Sequence, residues 1–294
     1  MSGDSFVIHR NLLFTVAYEM LGSAADAEDV VQETWLRWAN VGDVARKQVR
    51  DQRAYLVRIV TRLALNRLRT VSRQREEYVG EWLPEPLLTS PDVAEDAQLA
   101  ESVSIAMLTV LETLGPTERA VFVLREVFDV TYDEIAHALG KSSAAVRQIA
   151  HRARGHVAAR RPRMRVTRAE QQATVDSFRA AIEAGDLQRL LDVLAPDVVF
   201  VADGGGVVPT ARKPIKGADP VARLLTGLDR KVAGARLIAV WLNGTPALRI
   251  EVDGKLDTAV SLTAEGGRIT GIYAIRNPNK LAWLGSAVKL RRSA

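Results

Sequence analysis

Residues 131–154, TYDEIAHALGKSSAAVRQIAHRAR, constrain the fold of this chain more than any other stretch. Thr131 and Glu134 have the T-x-x-E spacing of a capping box, in which a hydroxyl and a carboxylate satisfy backbone amides at a helix start. Ile135, Ala136 and Leu139 give that helix an apolar side. Gly140 permits a tight turn, and Ser142 or Ser143 is suited to cap the next helix. In that helix Val146, Ile149, Ala150 and Ala153 are spaced to pack inward, while Arg147, His151 and Arg154 share an outer face. A short helix, a glycine turn and a basic helix predict a helix-turn-helix.

Charge is segregated around this motif. Positions 46–75 hold ten basic residues and one acid, Asp51; positions 76–118 hold ten acids and no base; positions 141–168 hold nine bases and no acid. Two basic blocks joined by an acidic segment suit a chain that touches nucleic acid twice. Two solvated helix faces would give the same counts.

The flanking segments fix the outline. Asn11–Leu21, Asp26–Trp38 and Arg53–Arg69 carry helical periodicity, with Ala27, Val30, Val31, Thr34 and Trp38 on one stripe and Leu56, Ile59, Val60 and Leu63 on another. Arg58, Arg62 and Arg69 line a separate basic face. The stretch 79–92, VGEWLPEPLLTSPD, has three prolines and a glycine, so an extended linker is expected. Helix resumes from about Ala94 to Leu114, and Pro116 with Glu118 suits the next helix start. After Arg163 the texture changes. Helices are expected over about 169–185 and on to Leu194. Asn243-Gly244, Asp253-Gly254 and Gly266-Gly267 then separate strands at Arg236–Leu242, Ala247–Val252, Lys255–Thr263 and Ile269–Arg276. An antiparallel meander in an α+β domain follows.

With 294 residues, two or three domains are expected. The absence of cysteine removes disulfides, thiol catalysis and cysteine-ligated zinc. The N-terminus lacks a basic segment followed by an apolar one, and no apolar run is long enough to span a bilayer, so a cytoplasmic protein without membrane contact is expected.

On the Asp26–Trp38 helix, Asp26, Asp29 and Glu33 form an acidic stripe beside Gln32 and Trp35. Such a stripe suits docking to a basic partner helix; it also suits a plain amphipathic surface helix. LGSAADAEDVVQETWLRW resembles region 2.2 of the sigma-70 family, which grips the RNA polymerase β′ subunit. RAYLVRIVTRLALNRLR resembles regions 2.3–2.4 of extracytoplasmic-function sigma factors, which hold the −10 element; Asn66 stands where that family usually has aspartate. LGPTERAVFVLREVFDVTYDEIAHALGKSSAAVRQIAHRAR resembles region 4, whose last helix reads the −35 element. The resemblance implies a non-enzymatic subunit, without metal or cofactor, whose partners are core RNA polymerase (β and β′) and promoter DNA. Arg58, Arg62 and Arg69 would track the melted strand. Tyr55 is either a stacking platform or core. Ser143, Ala144, Arg147 and Gln148 would reach base edges, and Arg152 and Arg154 phosphates; His151 is DNA-facing or merely solvated.

YVGEWLPEPL resembles a linker signature of the subgroup that carries a SnoaL-like C-terminal extension, with Glu81 where that subgroup has proline. Trp82, Leu83 and Pro84 form its centre. Ala202-Asp203-Gly204-Gly205-Gly206 resembles that subgroup's D-G-G-G element, followed here by Val207, and Asn277-Pro278-Asn279-Lys280-Leu281 its N-P-x-K-L element. These residues are expected to form a regulatory contact in cis. The implied architecture is two all-α sigma domains (5–75 and 109–163), an acidic linker (76–108) and an α+β cone-shaped SnoaL-like domain (168–286). A small-molecule ligand in that last domain is a further candidate partner. Two other readings stay open: a helix-turn-helix regulator with a ligand-sensing domain, and a cyclase-like enzyme using Asp203, Asp257 or Tyr273. The last domain has no histidine, so it holds no His–Asp dyad.

Overall fold

The computed structural model describes residues 5–160, 167–229 and 234–292. Arg161, Arg163 and Arg165 of the second basic block, and the domain boundary expected at 163, lie outside them. The chain divides into two units: positions 1–76, 110–161 and 289–294 form one, and positions 77–109 and 162–288 the other.

The first unit opens with α1 (Ser5–Leu21), α2 (Ala24–Ala39), α3 (Asp43–Gln48) and α4 (Gln52–Glu76). Ser23 caps α2 by accepting the Asp26 amide at 3.1 Å. Leu13, Val16, Ala17 and Met20 of α1 are fully buried, as are Leu56 and Val60 of α4, and Trp38 closes the end of α2. Helices α5 (Ala97–Val103) and α6 (Ile105–Leu111) follow in the chain but belong to the second unit up to position 109, and Ser104 breaks the single helix expected there. Next come α7 (Pro116–Phe122), a π-helical turn at Val123–Val127, α8 (Tyr132–Leu139) and α9 (Ser143–Ala158). The Thr131/Glu134 capping box forms, Gly140 turns the chain at φ 64°, and Ser142 caps α9. Ile59 and Ile149, expected inside, are only half-buried.

The second unit contains α10 (Arg168–Glu183), α11 (Leu187–Val193), β1 (Leu194–Asp203), β2 (Ile215–Lys216), α12 (Ala218–Asp229), β3 (Arg236–Leu242), β4 (Thr245–Val252), β5 (Lys255–Glu265) and β6 (Arg268–Ile275). The sheet order is β2-β1-β6-β5-β4-β3. The three predicted hairpins form, with both turn residues at positive φ in each. The sheet is mixed rather than a pure meander, because β1 pairs parallel with β6. That pairing needs a long crossover and leaves no local turn signal. One face carries α10 and α12 on Phe178, Phe200, Leu248 and Ile272. On the opposite face, Leu83 and Ile105 join Leu242, Ala259 and Ile275 in a second core. The segment read as a tether is therefore built into the sheet domain.

Candidate functional site

Three sets of residues carry the functional expectations: the α2 stripe, the basic residues of α9 and α4 taken together, and the linker elements. On α2, Asp29, Gln32, Glu33 and Trp35 are exposed, with Trp35 at 45% and its neighbour Leu36 at 53%. Glu33 pairs with Arg37 at 2.6 Å. Asp26 departs from the expected stripe: it is half-buried and accepts Arg67 Nε of α4 at 2.8 Å, so it braces the unit internally. Leu36 was not singled out from the sequence. It is a second exposed apolar side chain on the helix that also presents Trp35, Asp29 and Glu33.

On α9, Ala144, Arg147, Gln148, His151, Arg152 and Arg154 are exposed. Ser143 is half-buried and donates to Asp133. The Arg147 guanidinium lies 5.7 Å from the Tyr132 ring centre. Arg152 and Arg154 lie near Glu118 and Glu126 at 3.7 and 3.6 Å, long exposed pairings that leave both cations mostly solvated.

The α4 basic face is split. Arg62 and Arg69 are exposed and Arg58 is half-buried, yet Arg58 and Arg62 are drawn onto the first helix of the helix-turn-helix. Arg62 donates to the carbonyls of Ala138 at 2.8 Å and His137 at 3.0 Å, and Arg58 meets His137 Nε2 at 2.7 Å. Carbonyls at the end of α8 lack intrahelical partners, so a cation is favoured there. Tyr55 is half-buried between Trp38, at 5.7 Å between ring centres, and the Arg58 guanidinium at 4.9 Å. Deeper in the same unit, Glu112 joins Arg119 (2.6 Å) and Arg75, while Arg119 Nε donates to the Glu19 carbonyl at 3.0 Å.

The third set is the linker clasp. Asp203 is fully buried at the end of β1. Its carboxylate accepts Tyr78 Oη at 2.6 Å, Leu83 N at 2.9 Å, Gly205 N at 3.0 Å and Lys280 Nζ at 2.7 Å. Lys280, 3% exposed, also donates to the Leu83 carbonyl at 2.6 Å and lies 3.1 Å from the Trp82 ring centre. Asn277 donates to Tyr78 Oη at 2.8 Å, and Tyr78 meets Trp82 edge-on at 4.8 Å. Leu83 and Pro84 are buried, whereas Pro278 is exposed at the start of the short turn that delivers Lys280. Gly205 has φ 62°, and a Cβ there would sit 2.2 Å from the Asn277 side-chain nitrogen and 3.0 Å from Tyr78 Oη. Gly204 is buried beside it, and Gly206 faces Val79.

A second grip was not foreseen. The Asn243-Gly244 turn, read only as a hairpin, holds the linker through Leu87 N to Asn243 Oδ1 (2.9 Å), Asn243 Nδ2 to the Val103 carbonyl (2.8 Å) and Gly244 N to Thr89 Oγ1 (3.0 Å). Leu88 bridges Leu242 as a short added strand, covering the β3 edge. A Cβ on Gly244, at φ 72°, would lie 3.0 Å from Ala100 Cα. Sequence gave no sign of this, because the partners lie about 140 to 156 positions apart.

Burial, reinforced by the hydrogen bond to Asp203, pushes the Tyr78 phenol well above its ordinary value of 10.0. Because the folded value is raised, the unionised phenol stabilises this unit fully below pH 10, and that support fades as pH climbs toward the folded value. The urea midpoint should therefore fall above pH 10, and Tyr78→Phe should flatten the alkaline slope. Equal slopes in both proteins would contradict the assignment.

Among the described residues, no three His, Asp or Glu side chains gather at one point that would hold a metal ion, and no helix is long and apolar enough to cross a membrane.

Positions 6–74 match the family model for sigma-70 region 2, and positions 104–157 that for sigma-70 region 4. The whole chain is 37% identical to the ECF RNA polymerase sigma factor SigJ of Mycobacterium tuberculosis, covering 96% of that protein. A probable ECF RNA polymerase sigma factor SigI of the same species is 34% identical, over 93% of this chain and 92% of its own. The crystal structure of Mycobacterium tuberculosis SigJ superposes with a TM-score of 0.77 at 34% identity, covering 97% of this chain and 99% of that one.

Proposed function

The chain belongs to the extracytoplasmic-function RNA polymerase sigma factors, and from that premise we propose how its residues divide the work. Asp29, Gln32, Glu33 and Trp35 bind core polymerase at β′, with Leu36 as an added apolar anchor; Asp26 contributes by bracing the helix. Arg69 holds the −10 strand, and Arg58 and Arg62 join it when phosphates replace their α8 partners. On α9, Ala144, Arg147 and Gln148 reach −35 base edges in the major groove, with Ser143 at the helix start, while Arg152 and Arg154 meet phosphates. The work is done in the cytoplasm, where polymerase and promoter are found.

The C-terminal domain regulates the sigma modules in cis by holding the linker that joins them. The observation that carries this reading is the buried Asp203 carboxylate with its four donors, two of them from the linker. In the family the linker follows the polymerase interior, so a clasp on it controls how the two DNA-binding modules are spaced. Catalysis is not part of the proposal. The Asp203 carboxylate is taken up by its four donors within the clasp, and Asp257 is paired with Arg276 at the edge of the opposite face, so both carboxylates already have structural work.

The test is run-off transcription and pull-down with purified core polymerase. Combined Asp29→Ala, Glu33→Ala and Trp35→Ala should weaken capture by tenfold or more, since one desolvated anchor is worth about 2 kcal/mol. The unfolding midpoint should hold, because all three side chains are exposed. Undiminished capture would favour a stand-alone helix-turn-helix regulator.

A further inference from the structure

The sheet face turned away from the linker encloses a cavity of about 390 Å³. That lies within the range of small-molecule sites, roughly 300–1,000 Å³. Its wall is almost wholly apolar. Phe178 and Ile182 come from α10, Leu224 and Leu225 from α12, and Phe200 and Leu248 from the sheet. The polar exception is one edge, where Arg276 and Asp257 form a two-pronged pair (Nη2 to Oδ1 2.9 Å, Nε to Oδ2 3.2 Å). Thr258 Oγ1 donates to Asp257 at 2.5 Å, and Arg276 Nη1 donates to the Pro209 carbonyl at 3.1 Å.

We propose that this cavity binds a small, uncharged, largely apolar molecule bearing one hydroxyl or carbonyl group, and that its occupancy is felt at the linker clasp. An apolar wall rejects water and charge but favours hydrocarbon. The charges on the edge already cancel. An anionic ligand would compete with Asp257 for Arg276, and a cationic one with Arg276 for Asp257. A neutral group can accept from the guanidinium or donate to the carboxylate without breaking the pair.

The coupling follows from strand alternation. On β1, Phe200 and Ala202 face the cavity, while Asp203 grips the linker. On β6, Ile272 and Ala274 face the cavity, while Tyr273 and Ile275 join the linker core. Arg276, at the cavity edge, is followed directly by Asn277, which donates to Tyr78. The Arg276 and Asn277 amides both bond the Asp203 carbonyl, at 2.7 and 3.0 Å. This coupling rests on the reading that the clasp acts on the linker; the binding itself does not.

The full chain is titrated with N-phenyl-1-naphthylamine, a neutral fluorophore with one N–H, and with its anionic relative 8-anilino-1-naphthalenesulfonate. The neutral probe should saturate one site and bind about tenfold more tightly than the sulfonate. Ala274→Phe, which fills the cavity from the sheet, should abolish saturable binding; Leu225→Trp does the same from α12 should the first variant fold poorly by circular dichroism. Saturating probe should change amide hydrogen exchange at Leu83 and Leu87. Lack of saturable binding, or binding untouched in a folded filling variant, overturns the site. Binding with unaltered exchange overturns the coupling. Neither measurement uses polymerase or DNA, so a failure here is separable from a failure of the transcriptional reading.

Discussion

Asp203→Ala should lower the stability of the unit formed by positions 77–109 and 162–288 by about 3–5 kcal/mol and release the linker. The cost comes from what remains. Lys280, 3% exposed, would lose the Asp203 carboxylate that pairs with its buried charge, and the Leu83 amide and Tyr78 hydroxyl would lose their acceptor. Adding Lys280→Met to the variant should restore part of the loss, because the buried cation is then gone. Urea denaturation reads the stability, and limited proteolysis across positions 79–92 reads the linker. Run-off transcription should change along with both. A single variant within about 1 kcal/mol of the parent, the usual scale of an exposed pair, would mean that the clasp is not what holds the linker.

Glu112→Ala should destabilise the other unit by a similar amount, about 3–5 kcal/mol. Glu112 neutralises Arg119, which is 1% exposed, and Arg75, which burial already disfavours as a cation. Arg75 reaches back to the Leu21 carbonyl and Arg119 to that of Glu19, so the cluster fastens α4 and α7 to the end of α1. Losing it would remove the carboxylate that both cations share and loosen the packing that also brings Arg58 and Arg62 onto α8. The exposed Glu33–Arg37 pair is the internal control: Glu33→Ala should cost at most about 1 kcal/mol. Similar urea midpoints for the two variants would show that the buried cluster contributes no more than a surface pair.

Much of this protein was legible from its residues, because the deciding interactions are local. The helix-turn-helix depends on contacts within ten positions: the Thr131/Glu134 box, the Gly140 turn and the Ser142 cap. The three hairpin turns are equally local, since a positive φ at both central residues selects Asn, Asp and Gly. The helical period likewise placed Trp38, Val60 and Val146 inside. For the clasp, residues 82–84, 203–206 and 277–280 stood out through resemblance, and the structure brings Trp82, Leu83, Asp203 and Lys280 into contact.

Tertiary structure alone decided what lies between distant segments. No period or turn signal pairs β1 with β6 in parallel, turns Asn243 into a second grip on the linker, or commits Arg58 to the His137 imidazole and Arg62 to the carbonyls of α8. The same holds for Asp26, whose spacing on α2 matches that of Asp29 and Glu33, yet which is spent on Arg67 of α4. Sequence spacing sets which face of a helix a side chain leaves from. Whether that face meets water or another segment depends on chain closure over many tens of residues, and only the packed molecule supplies it.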